Sequence, residues 1–135
     1  MTTLYLDCEF NGMGGALMSM ALVGDSAEWY EVLPLPDDIH PWVMKNVVPN
    51  LNKSAVTRQV FQNSLQNFLA SCGNSLIIAD WPDDIRYFCE SLIVGPGLAI
   101  NTPSLTFELD RSIEYVSTRP HNALEDARAI KRMRS

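Results

Sequence analysis

Apolar and polar positions regroup along this chain so as to sort it into short strands first and alternating helices and strands afterwards. Residues 3 to 10, "TLYLDCEF", and 16 to 23, "ALMSMALV", are rich in aromatic and long apolar side chains, and Gly12, Gly14 and Gly15 lie between them. That pattern predicts two strands joined by a flexible turn. Residues 28 to 33 predict a third, so the chain opens as a meander. "PLPDDIHP" then interrupts regular structure with three prolines, and "WVMKNVVPNL" reads equally as a short helix or a loop.

Beyond this break the period changes. Val56, Val60, Phe61, Leu65, Phe68 and Leu69 fall at helical spacing until Gly73 stops the pattern. "SLIIA" follows as a buried strand. In "DWPDDIRYFCESLIV" the residues Ile85, Phe88, Cys89 and Leu92 form a helical stripe, preceded by a proline and acids that suit a helix start. "GPGLAINTP" reads as loop, "SLTFEL" as a strand and "HNALEDARAIKRM" as a final helix. Three strands followed by alternating helices and strands predict an α/β fold with a mixed sheet of about five strands flanked by helices.

A chain of 135 residues with 47% hydrophobic and 19% charged side chains is expected to form a single domain, residues 1–135, around one core. Its longest uncharged apolar stretch, "GALMSMALVG", is shorter than the roughly 20 residues that span a bilayer, and its N-terminus lacks the basic start of a secretory signal. The expectation is a soluble cytoplasmic protein with no membrane partner. Cys8, Cys72 and Cys89 are odd in number and form no C-x-x-C pair, which predicts reduced, buried thiols. The formal charge of −6 opposes a phosphate-rich partner unless the acids hold cations. Arg111, Arg119, Arg128, Lys131, Arg132 and Arg134 cluster late, and a phosphate-facing surface and a solvated helix face are equally good accounts of them.

The acids change the picture most. Alternation along a strand puts Asp7 and Glu9 on one face and Cys8 on the other, beside Leu6 and Phe10. Like charges on one face of a mostly buried strand are costly unless a cation lies between them, although an edge strand with both acids in water would also satisfy the pattern. At 100° per residue, Asp84 lies about a quarter turn from the middle of its apolar stripe, and Asp83 nearly opposite, toward solvent. In the last helix the stripe of Ala123, Leu124, Ala127 and Ile130 leaves Asp126 a similar angle off centre, with Glu125 on the far side. Each helix therefore offers one rim acid, whereas Asp80, Asp83 and Glu125 suit the macrodipole. His121, just after Pro120, can aim along the end of the sheet, and His40 in the proline-rich loop reads as structural.

Together these segments resemble the DEDD superfamily of 3′-to-5′ exonucleases, in the histidine-carrying subclass (DEDDh) that includes proofreading exonucleases, ribonuclease T and oligoribonuclease. "LDCEF" is similar to the first motif, "IIADWPDDIRYF" to the second and "HNALEDA" to the third. The resemblance implies a ribonuclease H-like fold, with Asp7, Glu9, Asp84 and Asp126 ligating two divalent ions, Mg²⁺ or Mn²⁺, and His121 as general base. The second motif departs from the family, because Ala79 and Asp80 stand where His and Asn are frequent and Asp83 where an aromatic is frequent. The choice among Asp80, Asp83 and Asp84 as ligand therefore stays open.

By the same resemblance Phe10, Asn11, Gly12 and Met13 would cradle the terminal nucleotide. Trp81 would stack on a base or simply pack. The implied activity removes nucleoside 5′-monophosphates from single-stranded 3′ ends, RNA or short oligonucleotides ahead of DNA, in a chain that could act as a homodimer. With nine residues after Asp126, the last helix is expected to be short or to depend on a partner. Two other classes remain: a non-catalytic ribonuclease H-like module that binds nucleic acid or protein, and a metal-dependent phosphohydrolase of nucleotides or dinucleotides.

Overall fold

The computed structural model describes residues 1–134. Strands β1 (Thr2–Phe10), β2 (Leu17–Val23) and β3 (Glu28–Val32) form the antiparallel meander that the opening pattern predicts. The ambiguous segment is helix α1 (Pro41–Asn46), followed by a 3-10 turn at Val48–Asn50. Helix α2 (Arg58–Cys72), strand β4 (Ser75–Ala79) and helix α3 (Pro82–Ser91) come next. Strands β5 (Ile93–Gly95), β6 (Leu98–Ala99) and β7 (Leu105–Leu109) precede helix α4 (Ala123–Arg134). The result is α/β, with a mixed five-stranded sheet in the order β3-β2-β1-β4-β7, in which β4 runs parallel to both β1 and β7.

Alternation along the central strands gives each face of the sheet its own helices. Leu4, Leu6 and Cys8 of β1, with Met20 and Leu22 of β2, pack against Phe61, Leu65 and Leu69 of α2 and Phe88 of α3. On the opposite face Ala21 and Val23 meet Ala123 and Ala127 of α4, and Tyr5 and Ile78 meet Ile130. A further cluster joins Met18 and Val32 to Val43 of α1 and to Val47 and Leu51. The small alanines of α4 let that helix approach the sheet closely.

Helix α3 is rolled relative to the stripe that its sequence predicts. Its buried residues are Asp84, Tyr87, Phe88 and Ser91, whereas Ile85 and Leu92 are only partly covered and Cys89 is exposed. The cause lies in Tyr87. Its ring stacks on Phe10 at 4.7 Å between centroids, and its hydroxyl donates to the Gly15 carbonyl. A ring with a polar tip gains both apolar area and a hydrogen bond there, which outweighs the burial of Cys89. The roll turns Asp84 fully inward, so it is 2% exposed rather than a rim residue. Cys72 is half-buried, so of the three thiols only Cys8 meets the expectation of burial.

Two further segments differ from the sequence reading. A β5–β6 hairpin begins at Ile93, ahead of the supposed loop "GPGLAINTP", and runs into it, with a turn at Gly97 of φ 69°. The turn after β1 is shaped rather than slack: a Cβ on Gly15 would overlap the Asn11 carbonyl, so only glycine closes it. Three of the six late basic residues pair with the protein's own acids. Arg128 meets Glu28 and Glu125, Lys131 meets Asp25, and Arg134 meets Glu108 and Asp110. Among the described residues no helix is long and apolar enough to cross a membrane.

The start of α4 is fixed by Asn122, a buried residue that sequence pattern did not single out. Its Oδ1 accepts from the Glu125 N–H at 3.0 Å and its Nδ2 donates to the Asn50 carbonyl at 2.8 Å, so one side chain caps the helix and ties it to the 3-10 turn. Replacing Asn122 by Ala removes the cap and leaves the half-buried Asn50 carbonyl without that donor. The expected loss is about 1 to 3 kcal/mol of unfolding free energy, read from urea denaturation midpoints.

Candidate functional site

Both acids of β1 face α4, because Tyr5 of the same set packs on Ile130 of that helix. The strand ends in an irregularity between Glu9 and Phe10. It separates an acid that opens on the cleft from a ring stacked on Tyr87. Strand β4 lies parallel to β1 with Ile78 opposite Tyr5, so two residues further on Asp80 emerges beside Asp7. Parallel strands release their following loops at the same end of the sheet, which is why α3 begins close to the acids of β1.

The carboxylates converge in two overlapping groups. One oxygen from each of Asp7, Glu9 and Asp126 lies within 4.8 Å of the others, and the same holds for Asp7, Asp80 and Asp84. Asp7 belongs to both. In α4 the buried face runs through Ala123, Asp126, Ala127 and Ile130, so Asp126 is 5% exposed instead of sitting at the rim, while Glu125 turns toward Arg128 and Thr118. Asp83, in contrast, accepts from the Trp81 indole N–H at 3.3 Å and pairs with Arg86 at 3.5 Å. Of the three acids left open in the second motif, Asp80 and Asp84 join the cluster and Asp83 does not.

Burial and mutual repulsion determine the protonation of this cluster. Desolvation, reinforced by Asp84 and Glu9, holds the Asp7 carboxyl well above the usual carboxylate range. Asp84 is raised by burial and then by Asp80. Burial and Asp126 push Glu9 up to about 9, and it shares a hydrogen bond with Asp126. Asp126 is raised by burial too, against opposing help from Ser117, Glu9 and the His121 backbone. Asp7 Oδ2, Asp84 Oδ2 and Asp126 Oδ1 are buried without a hydrogen-bond partner. Hard oxygen donors, close together and unsatisfied, fit Mg²⁺ or Mn²⁺ in preference to zinc, which favours nitrogen and sulfur.

The acids form the floor of a cleft of about 680 Å³. Phe10, Gly12 and Met13 line one side of it, and Met13 is 97% exposed. Trp81 stands at the opening with the Arg111 guanidinium 4.8 Å from its ring centre. Asn11 is engaged elsewhere, its Nδ2 donating to the Asp38 carbonyl at 2.8 Å and its Oδ1 accepting from the His40 N–H at 2.8 Å. It therefore pins the proline-rich loop and does not line the cleft. His40 caps α1 by accepting from the Trp42 N–H through Nδ1, as a structural histidine would, and also borders the cleft.

His121 lines the same cleft. Its φ of 65° is unusual for a residue with a side chain, and it is held between Pro120 and the capping residue Asn122. The Trp42 ring meets the imidazole edge-on at 5.1 Å. Trp42 and Tyr115 are wall residues that sequence reasoning missed. Trp42 sits in a segment whose conformation was ambiguous, and Tyr115 in a connection with no periodicity, so neither carried a pattern that could have revealed it.

The raised carboxyls make a pH prediction for the ion-free chain. Between about pH 4.5 and about pH 9 folded Glu9 keeps a proton that the unfolded chain has released, and Asp7, Asp84 and Asp126 act in the same direction. The folded state then binds more protons than the unfolded one, so raising the pH through this window lowers stability. Thermal melts in chelator are expected to fall steadily across it, Asp7→Asn to flatten the fall, and added Mn²⁺ to reverse it. Stability that climbs with pH would contradict these electrostatics. No protein-family model matches this chain, and no curated protein matches it in sequence.

Proposed function

We propose that this protein is a metal-dependent 3′-to-5′ exonuclease of the DEDDh type, built on a ribonuclease H-like fold. On this reading it releases nucleoside 5′-monophosphates from single-stranded RNA or short oligonucleotides, and less readily from DNA. One observation carries the proposal: two carboxylate groups that share Asp7 lie on the floor of a cleft that His121 also lines. A mixed sheet with helices on both faces is the architecture that the motif resemblance implies, and the three motifs supply the clustered acids in the expected order.

Asp7, Glu9 and Asp126 would hold one divalent cation, and Asp7 with Asp84 the other. When bound, such ions supply Lewis acidity toward phosphate and lower the pKa of a nearby water. His121 then acts as the base that takes up the proton of the attacking water, since imidazole exchanges protons readily near neutral pH. Its left-handed backbone and the Trp42 edge restrict where the ring can point, so its nitrogen is directed before substrate arrives.

Phe10 and Gly12 would bracket the terminal nucleotide, with Met13 against its base. Trp81, 47% exposed at the opening, would stack on the next base. Arg111 beside that ring is a cation suited to a backbone phosphate, which matters in a chain of charge −6. The paired basic residues of α4 are already engaged by acids and have little charge left to offer.

Incubating 5′-labelled RNA and DNA single strands with Mg²⁺ or Mn²⁺ tests the reading. A ladder shortening from the 3′ end is expected only with metal. Asp7→Ala is expected to abolish it, His121→Ala to slow it by about 10²- to 10⁴-fold, and Asp83→Asn to leave it near wild type. Strands that stay intact with every ion would overturn the nuclease reading in favour of a binding module.

A further inference from the structure

Asp80 has only modest support from its surroundings, a backbone hydrogen bond and the nearby Arg111 guanidinium. It precedes Trp81, the N-cap of α3, and so lies outside the first helical turn, where Asp83 and Asp84 already complement the dipole. It is half-buried. Its oxygen lies within 4.8 Å of oxygens from Asp7 and Asp84. Those two neighbours are 6% and 2% exposed, and each has an Oδ2 with no hydrogen-bond partner. Three carboxylates in this arrangement repel one another unless a cation stands among them.

We propose that Asp80 is a metal ligand that completes, with Asp7 and Asp84, a three-carboxylate position able to retain its divalent cation before nucleic acid binds. This rests on the ion-binding part of the nuclease reading and adds to it a property of this chain. Mg²⁺ is commonly held by one or two carboxylates together with substrate phosphate, so its occupancy then depends on substrate. A third carboxylate removes that dependence. The charge balance agrees: Asp7, Glu9, Asp80, Asp84 and Asp126 bring five negative charges when ionised. One divalent cation leaves a net three of them uncompensated in a buried cleft, and two leave only one.

The departure from the second motif is thereby explained in chemical terms. An Asn at this position could offer one neutral oxygen, whereas Asp80 offers a charged one at the same reach. The second ion would be resident instead of arriving with the strand.

Mn²⁺ titration of the nucleic-acid-free protein, followed by calorimetry and by electron paramagnetic resonance, reads this directly. Wild type is expected to bind two Mn²⁺ and to show the exchange-coupled spectrum of a closely spaced pair. Asp80→Asn is expected to keep one, lose the coupling and weaken the second by about 10-fold or more. Asp80→Ser serves as a second variant with the same expectation, Asp83→Asn as a control that keeps both ions, and circular dichroism melts verify folding. Unchanged binding of both ions by folded Asp80 variants, or a wild type that takes only one ion until single-stranded RNA is added, would overturn the role of Asp80 and leave the nuclease reading intact. A chain that binds no Mn²⁺ at all would overturn both.

Discussion

Repulsion among carboxylates at the ends of β1 and β4 is the constraint to which the surrounding structure answers. Asp7, Asp84 and Asp126 are each more than nine-tenths buried, and each keeps an oxygen without a hydrogen-bond partner. Burying one such group costs free energy, and gathering several costs more than their sum because they raise one another's proton affinity. A sequence selected for stability alone would have placed apolar side chains there. Sites of this kind persist when the rest of the fold is stable enough to carry them.

That stability comes from the two helix layers. On one face Phe61, Leu65, Leu69 and Phe88 close over Leu4, Leu6 and Leu22. On the other, the alanines of α4 bring Asp126 against the sheet while Ile130 anchors the helix further along. Asn122 sets where α4 begins, and Tyr87 sets how α3 is rolled, through its contacts with Phe10 and Gly15. Asp84 and Asp126 are thus each aimed by a neighbour a few residues away. This positions both carboxylates without either having to find its place by attraction.

Much of the scaffold was legible in the sequence because strand and helix periods are local properties. The meander, β4, α2 and the last helix follow from spacing alone, and the shared face of Asp7 and Glu9 follows from pleating. The roll of α3 was not legible, since it depends on a tyrosine meeting a backbone carbonyl 72 residues away in the chain. The same is true of Asp80, whose neighbour Asp7 is supplied by strand pairing across the sheet. The β5–β6 hairpin is too short for periodicity to register. The motif resemblance made Asn11 a candidate substrate contact, but its amide is committed to a loop whose path only the folded chain reveals.

Pleating also restricts how such a centre can change over evolutionary time. Because side chains on β1 switch sides at every residue, inserting or deleting one residue ahead of Asp7 would exchange the apolar set with the acidic one, putting carboxylates into the hydrophobic layer beneath α2. Changes of two residues preserve the facing but shift both acids along the strand, away from α3 and α4. Neither length change leaves the acids gathered at one place. The spacing within this strand is therefore far less free to drift than its individual side chains.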